Sequence, residues 1–506
     1  PLQNEFSGNL VEVCPTGVFT DKTYRKHYTR KWDLSTAPSI CHHCGVGCNI
    51  IAGERYGSLR RVETRYNGEV NGYFLCDRGR FGYEHVNSES RLAYALEQDS
   101  SSGGQAQLPK ERALGDIGDM LSNASQPIGI GSPRASLESN HMLKKLVGPD
   151  NFYLGMSETD YKLTRKAYDI LQNGPARTPS LREIQEADAA FVLGEDVTNT
   201  APMVALYLRQ VVKTQPREEV MNRAGIPDWQ ELALQHATYG EYGPLYIATN
   251  HETKLDDVAK ATFHTSNEAI ARLGHAVAHN IHSSAPVPEG LSVDEQAKAQ
   301  EIAESLKKAK RPLVVSGISN GSEAIVEAAA NIAYALCTDE KRAELTLTLP
   351  EANSMGLAIM DGKPLSEGLA AINEKKADTA IVLENDLYRR APKVTVDQFL
   401  NTADNLVVID HTETSTSQQA DIVLPAGSFA ESDGTLVNNE GRAQRFYQVY
   451  VTENDIFESW RWLREIFRAI GYGDVVEDLQ SLDDFTRDVI AQKPVFEAMD
   501  GIAPPP

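Results

Sequence analysis

Cys41, Cys44 and Cys48 fall within eight consecutive residues, Cys41-His42-His43-Cys44-Gly45-Val46-Gly47-Cys48, and Cys76 follows in Leu75-Cys76-Asp77-Arg78-Gly79. The spacing is C-x2-C-x3-C, a long gap, then one closing cysteine. A tight triplet plus one remote thiolate suits a [4Fe-4S] cluster, with each thiolate on its own iron. Only six cysteines occur in 506 residues, so the clustering is not compositional chance. Structural zinc is the competing reading, but zinc favours two close ligand pairs, and here the remote ligand is single. Gly45 and Gly47 would let the backbone bend around the metal and bring N–H groups toward the sulfurs. His42 and His43 are expected beside the ligands rather than among them, because four thiolates complete the set. A four-thiolate cluster is anionic, and Arg78, Arg80, Arg55, Arg60 and Arg61 are candidates to offset its charge.

Cys14-Pro15-Thr16-Gly17 adds a fifth cysteine. Cysteine followed by proline is a known form of the last ligand of an iron–sulfur site. A small buried core thiol remains the alternative for Cys14. Cys337 has no neighbour at metal spacing and reads as a core thiol.

These residues need elements to hold them. Between Cys48 and Cys76 the runs Asn49-Ile50-Ile51, Leu59 to Glu63 and Tyr73-Phe74-Leu75 predict a small antiparallel sheet, with a turn at Asn71-Gly72. Residues 94–126 are polar, notably Asp99-Ser100-Ser101-Ser102-Gly103-Gly104, and read as a linker or surface excursion. From residue 127 short apolar runs alternate with amphipathic helices: Ile128-Gly129-Ile130, Ala189 to Leu193, Pro312 to Val315, Ala380 to Leu383, Leu406 to Ile409 and Ile422 to Leu424. That rhythm predicts a doubly wound, parallel α/β architecture. Helices are expected from Pro133 to Leu146 and from Pro202 to about Val212. Another follows Asn320, which has capping-box spacing to Glu323 and a stripe of Ile325, Ala328, Ile332 and Leu336. Gly129-Ile130-Gly131 is half of a dinucleotide fingerprint, with Arg134 at the third glycine position, so NAD is not expected there.

The formal charge is 49 − 71 = −22. Such acidity argues against nucleic acid or an anionic membrane as direct partners. No run reaches about 18 uninterrupted apolar residues, so no membrane-spanning helix is expected. Few cysteines, clustered as ligands, and no signal-peptide pattern predict a reducing compartment. The chain opens at Pro1-Leu2-Gln3-Asn4 and ends Ala503-Pro504-Pro505-Pro506, which reads as a piece of a longer protein.

Residues 37–93 resemble the iron–sulfur domain of the molybdopterin oxidoreductase superfamily, with its cysteine triplet and later C-x-[KR]-G. The run Ala420-Asp421-Ile422-Val423-Leu424-Pro425, continued by Glu431, Asp433-Gly434-Thr435, Asn438 and Glu440-Gly441-Arg442, looks like a signature of that superfamily's α/β domains. Asn9 to Gly17 ahead of it, and Glu440 to Phe446, narrow the resemblance. The order is similar to that of the large iron–sulfur subunits of bacterial proton-pumping NADH–quinone oxidoreductase (respiratory complex I).

The resemblance implies residues 1–36 as the tail of an upstream ferredoxin-like domain. It implies residues 37–93 as the [4Fe-4S] domain and 94–506 as a molybdopterin-oxidoreductase-like α/β region without molybdenum. Cys41, Cys44, Cys48 and Cys76 would hold one [4Fe-4S] cluster. Cys14 would be the last ligand of a second, whose other ligands precede residue 1. No catalytic residue is expected on this chain. Its work would be to pass electrons from NADH and flavin toward quinone. Its partners would be other subunits of the peripheral arm, with the membrane reached only through the complex, at its cytoplasmic face. The superfamily usually has Lys where Arg78 stands, which puts an electron route to a pterin in doubt. The alternative is the molybdopterin-dependent catalytic subunit of an NAD-linked formate dehydrogenase. Those enzymes ligate molybdenum through Cys or selenocysteine in a stretch matching Asn151 to Pro179 here. That stretch has no cysteine and leaves Ser157 as the candidate.

Overall fold

The computed structural model describes residues 4–26, 28–99, 104–339, 341–452 and 454–502. The expected Ser/Gly linker run at 100–103 and both chain ends lie outside the described residues.

Three antiparallel strands, Ser35–Ile40, Asn49–Arg55 and Ser58–Thr64, form the sheet of the cysteine domain. Ile40 pairs with Asn49, so Cys41 to Cys48 is the loop of a hairpin. Tyr56 and Gly57 both take positive φ (57° and 71°), as a two-residue hairpin turn requires. The expected strand Tyr73-Phe74-Leu75 does not form. The side chain of Asn71 holds this stretch instead, donating to the carbonyls of Arg65, Asn49 and Phe74. Side-chain bonding offers a backbone an alternative to a ladder.

Two larger sheets follow. The eight-stranded one runs Lys363–Pro364, Phe152–Leu154, Pro127–Ile130, Thr379–Leu383, Asn405–Asp410, Ile422–Pro425, Ala95–Asp99, Gly104–Leu108. Its first six strands are parallel and its last two antiparallel. The five-stranded sheet, Ala261–His264, Leu245–Thr249, Ala189–Leu193, Pro312–Gly317, Glu344–Thr348, is wholly parallel. Its sequence, 189–348, is inserted between Leu154 and Lys363 of the larger sheet. Strands buried on both faces explain the uninterrupted apolar runs.

The expected linker at 94–126 is corrected. Its described residues supply the last two strands at one end of the sheet and the helix Lys110–Asn123. The apolar signal is thin because only Ala95, Leu108, Ala113 and Ile117 reach the core, while polar residues face outward.

Helix starts also shift. Ser136, not Pro133, precedes the helix Leu137–Val147, its hydroxyl accepting from the Ser139 N–H. Asn320 does not cap Glu323–Leu336; its side chain donates to the carbonyl of Gly194, and Ser322 occupies the cap position. The Ile325, Ala328, Ile332 and Leu336 stripe is buried as expected. The helix from Pro202 runs on past Val212 to Ala224, through Pro216. Proline has no N–H for the Val212 carbonyl four residues back. The Gly243 N–H donates to that carbonyl instead, at 2.6 Å.

Candidate functional site

The hairpin loop brings Cys41, Cys44 and Cys48 together, and the segment after Asn71 returns Cys76 to them. All four thiols are buried and unpaired by any disulfide. Asn71 is the hinge of that return: its Oδ1 accepts from the Asn49 N–H at 2.9 Å while its amide ties down Phe74. Cys76 caps the short helix Asp77–Phe81, and its Sγ accepts from the Gly79 N–H at 3.4 Å. A Cβ on Gly79 would lie 3.1 Å from Cys41 Sγ, so a bare backbone is needed here.

The loop itself is clamped from far along the sequence. The Asn439 N–H donates to the Gly45 carbonyl (2.7 Å), Asn438 Nδ2 to that of Val46 (3.1 Å), and Gln444 Nε2 to that of Gly47 (2.8 Å). Asn49 Nδ2 donates to Gln444 Oε1 at 2.6 Å, and Cys41 N–H closes the loop onto the Cys48 carbonyl at 2.9 Å. The clamping residues form the turn of an antiparallel hairpin, Gly434–Val437 with Ala443–Phe446. Gly441 makes that turn with φ of 80°. In the sequence Asn438 to Arg442 stand out, but their pattern fits a surface turn and a ligand loop equally. They bear on the site by holding its backbone. In the sequence Asn71 reads only as a turn residue and Gln444 only as part of the run Glu440 to Phe446.

The glycines act differently from expectation. The N–H groups aimed at sulfur belong to His43, Cys48, Arg78 and Gly79 rather than to Gly45 and Gly47. Gly45 and Gly47 instead admit the clamp. A Cβ on Gly45 would meet Asn439 Oδ1 and come within 2.7 Å of the Leu349 carbonyl oxygen; one on Gly47 would lie 2.6 Å from Gln444 Nε2.

Burial pushes the thiols of Cys41, Cys48 and Cys76 upward, and the neighbouring cysteines add to it. Four thiolates in one dry pocket need a cationic centre, and a coordinated thiol is deprotonated outright. The donor set, all soft sulfur, all buried, none bridged, fits an iron–sulfur cluster. A single zinc would draw four ligands to about 2.3 Å from one point. Among the described residues no three or more His, Cys, Asp or Glu side chains converge to hold one metal ion.

Of the five candidate arginines, Arg78 acts on the thiols, favouring the thiolates of Cys41 and Cys76 from an exposed position. Arg80 is committed elsewhere. It is buried, pairs with Glu12 at 2.5 Å and donates to Asn9 and Thr64. That contact, with the Gly8 N–H on Asp77 (2.7 Å), seats the segment bearing Cys14 on the cysteine domain. Arg61 pairs with Glu63, Arg60 donates to the Arg55 carbonyl, and Arg55 lies over the Tyr56 ring. Cys14 itself stays apart from the four. Its thiol accepts from or donates to Thr16 Oγ1, and that contact lowers it to about 7. Cys337 is half-buried at a helix end, bonded to Ala333 and Ala343.

Behind the cysteine loop lies a cavity of about 830 Å³, walled on one side by His42, His43 and Gly82. His42 packs on Phe429 (5.3 Å) and edge-on to Phe446 (4.9 Å). His43, His85 and His411 meet edge to face, at 6.3 and 5.8 Å. Burial lowers His42 to about 3, and His43 and His85 to about 4, so all three are neutral at pH 7. Ser157 does not line this cavity; it caps the helix Glu158–Asn173, accepting from the Asp160 N–H. The loop after Gly129 is filled by the chain's own groups. Ser132 N–H donates to Asn140 Oδ1, and Asn385 Nδ2 donates to the Gly131 carbonyl.

Comparison with known proteins agrees with this geometry. Residues 34–88 match the molybdopterin oxidoreductase Fe4S4 domain, and residues 295–469 match molybdopterin oxidoreductase. The G subunit of NADH-quinone oxidoreductase from Pseudomonas fluorescens is 47% identical, over 99% of this chain and 55% of its own. That from Pseudomonas putida is 50% identical, over 92% of this chain and 51% of its own. The chain thus spans about half the length of the curated relatives it matches. Among solved structures, acetylene hydratase from Pelobacter acetylenicus superposes with a TM-score of 0.64 at 12% identity, covering 92% of this chain and 73% of its own. At that identity the likeness concerns the fold alone.

Proposed function

The chain belongs to the family of the NADH-quinone oxidoreductase G subunits, within the molybdopterin oxidoreductase superfamily, and we propose that it carries electrons through a [4Fe-4S] cluster held by Cys41, Cys44, Cys48 and Cys76. The observation that carries this is the pocket itself: four buried, unbridged thiols, three of them on a loop whose Gly45, Val46 and Gly47 carbonyls are clamped. The cluster, when bound, takes up and releases one electron. The protein's part is to keep the ligand geometry the same in both states and to exclude water, which suits outer-sphere transfer. Cys14, lowered toward a thiolate at neutral pH, would complete a second cluster with ligands from the remainder of the longer protein. Residues 1–36, 37–93 and 94–506 would then be the end of an upstream iron–sulfur domain, the [4Fe-4S] domain and an α/β scaffold.

The working unit is an NADH:quinone oxidoreductase, with the flavin and quinone sites on other chains. Its peripheral subunits are the partners, at the cytoplasmic face of the membrane. Among the described residues no helix is long and apolar enough to cross a membrane. A molybdenum pterin is not expected. The cavity behind the cysteine loop is lined by carboxyl groups, which disfavour a pterin's phosphate, and Ser157 lies elsewhere. The formate dehydrogenase reading is not favoured, because the curated relatives at 47–50% identity are NADH-quinone oxidoreductase subunits.

Metal and labile-sulfide analysis of anaerobically purified protein, with electron paramagnetic resonance after reduction, tests this. About four irons and four sulfides per chain, without molybdenum, are expected. Stoichiometric molybdenum, or zinc without sulfide, would overturn it.

A further inference from the structure

The cavity behind His42 and His43 has no part in the electron transfer described above, yet it has the attributes of a ligand site. Its volume, about 830 Å³, is in the range of small-molecule pockets. It opens at the carboxyl ends of Pro127–Ile130 and Thr379–Leu383, the point where the strand order of the larger sheet reverses. Ligands of open α/β sheets bind at such points.

The charge of the lining selects the ligand. Six carboxyl groups, Glu384, Asp386, Asp410, Glu413, Asp433 and Glu458, face two guanidiniums, Arg134 and Arg389; burial raises Glu384, Asp433 and Glu458 toward their neutral forms, and a bound cation would favour their ionisation. Both arginines already have acidic neighbours: Arg134 lies 3.7 Å from Glu351, and Arg389 3.7 Å from Asp386. The start of the helix Ser459–Ala469, where an anion would otherwise sit, is met by the chain's own Glu384, which accepts from Ser459 Oγ at 2.6 Å.

The second observation is a set of unanswered acceptors. Among the described residues, Asp410 Oδ2, Ser428 Oγ, Thr412 Oγ1 and Asp433 Oδ1 are buried with no hydrogen-bond partner and line this cavity, as do His42 Nε2 and one donor, Arg134 Nε. Asp410 and Ser428 are only 1% and 3% exposed. Buried polar atoms are almost always paired, and each left unpaired costs about 1–3 kcal/mol. The acceptors outnumber the one donor, so the lining calls for an occupant rich in N–H donors. A lone metal ion does not answer, because among the described residues no three acidic, histidine or cysteine side chains converge on one point. Trp460 and Phe429 also line the cavity and supply apolar surface.

We propose that this cavity binds an aliphatic polyamine. Its separated ammonium groups donate to Asp410, Asp433 and their neighbours, and its methylene segments lie on the aromatic faces. The site is formed by this chain alone and is independent of the cluster assignment.

The test is equilibrium dialysis of labelled spermidine against the full, cluster-loaded chain at about 0.15 M salt, where exposed charges are screened. Saturable binding at one site is expected. Asp410→Asn with Asp433→Asn should weaken it at least tenfold, and Ser428→Ala, which leaves the charge unchanged, several-fold. Glu111→Gln with Glu219→Gln removes the same charge from exposed positions and should leave it unchanged. Absence of saturable binding, equal loss in the surface variant, or tighter binding of magnesium or pyrophosphate would each overturn the proposal. Iron and sulfide content of the same samples reports on the cluster separately.

Discussion

The two sides of the loop 41–48 are built on opposite principles. On the thiol side nothing is left open. Each carbonyl from Gly45 to Gly47 accepts a hydrogen bond from the clamp, and the four sulfurs are sealed from solvent. On the cavity side His42 and His43 face a space of about 830 Å³ in which several buried acceptors lack partners. A centre that only exchanges electrons gains from rigidity, since every change of geometry between redox states raises the barrier to transfer. A site that takes up a ligand must keep hydrogen-bonding capacity in reserve. The difference shows that one eight-residue segment can serve as a fixed ligand frame and as the wall of a polar cavity.

The sharpest break in that comparison is Cys76→Ser. It removes the remote ligand and nothing from the cavity. Essentially complete loss of iron and sulfide is expected, with far-ultraviolet circular dichroism retaining the eight-stranded sheet, whose core does not include the cysteines' loop, while the five-stranded sheet, which shares a core with Cys41, Cys44 and Cys48, loosens on that face only. Collapse of the sheets along with the cluster would mean that the metal organises the whole chain.

Gly45→Ala attacks the clamp rather than the ligands. The added methyl meets the Asn439 side chain and lies 2.7 Å from the Leu349 backbone oxygen, which cannot swing away. Overpacking of this kind costs about 1–3 kcal/mol. A lower thermal midpoint and partial loss of iron are expected, because the loop can relieve the contact only by moving the cysteines. Unchanged iron content and midpoint would show the clamp to be looser than its hydrogen bonds indicate.

The ligands of this site are legible in the sequence because thiolate spacing is a local property. Three of the four lie in one loop, and their type admits few chemistries. The parallel sheets are legible for a similar reason, since doubly buried strands such as Ala189–Leu193 are apolar throughout. The clamp is not. Asn438 and Gln444 reach their partners across 392 and 397 residues of sequence, a separation without periodicity. The terminal strand pair Ala95–Asp99 and Gly104–Leu108 reads as linker for the opposite reason. They bury so little that their polar, Gly- and Ser-rich surroundings dominate the pattern. The insertion of the five-stranded sheet also leaves no local mark, because it begins and ends within the same alternation of strand and helix.

The cavity side is expected to titrate where the thiol side does not. Burial, followed by the charges of Glu458 and Glu138, raises Asp433 from 3.8 to about 7. An acid with a raised folded-state pKa binds its proton more tightly when folded. Its stabilisation is full below the unfolded value and is lost as pH rises through the folded one. Between those limits the slope is about −1.4 kcal/mol per pH unit. Asp433→Asn removes that slope. Denaturation midpoints of parent and variant should therefore diverge in favour of the variant as pH rises from 4 to about 7. Parallel curves would mean that Asp433 is ionised throughout, with a cation or water already serving it.

The smallest effect probes the one charge that reaches the thiols from outside. Arg78 is exposed, yet it favours the thiolate forms of Cys41 and Cys76. Reduction adds one negative charge to the cluster, so a nearby cation stabilises the reduced form and raises the potential. Arg78→Gln should lower the midpoint potential. Solvent screening of an exposed charge limits the shift to roughly 30 mV, half of a tenfold change in a one-electron equilibrium. Arg78→Lys should restore most of it, since charge and not the guanidinium fork is responsible. A redox titration followed by electron paramagnetic resonance measures both. A shift several times larger would place the guanidinium against the cluster, and the thiol side would then owe its potential to a single mobile side chain. No shift would leave the His43, Cys48, Arg78 and Gly79 N–H groups aimed at the sulfurs as the tuning that remains.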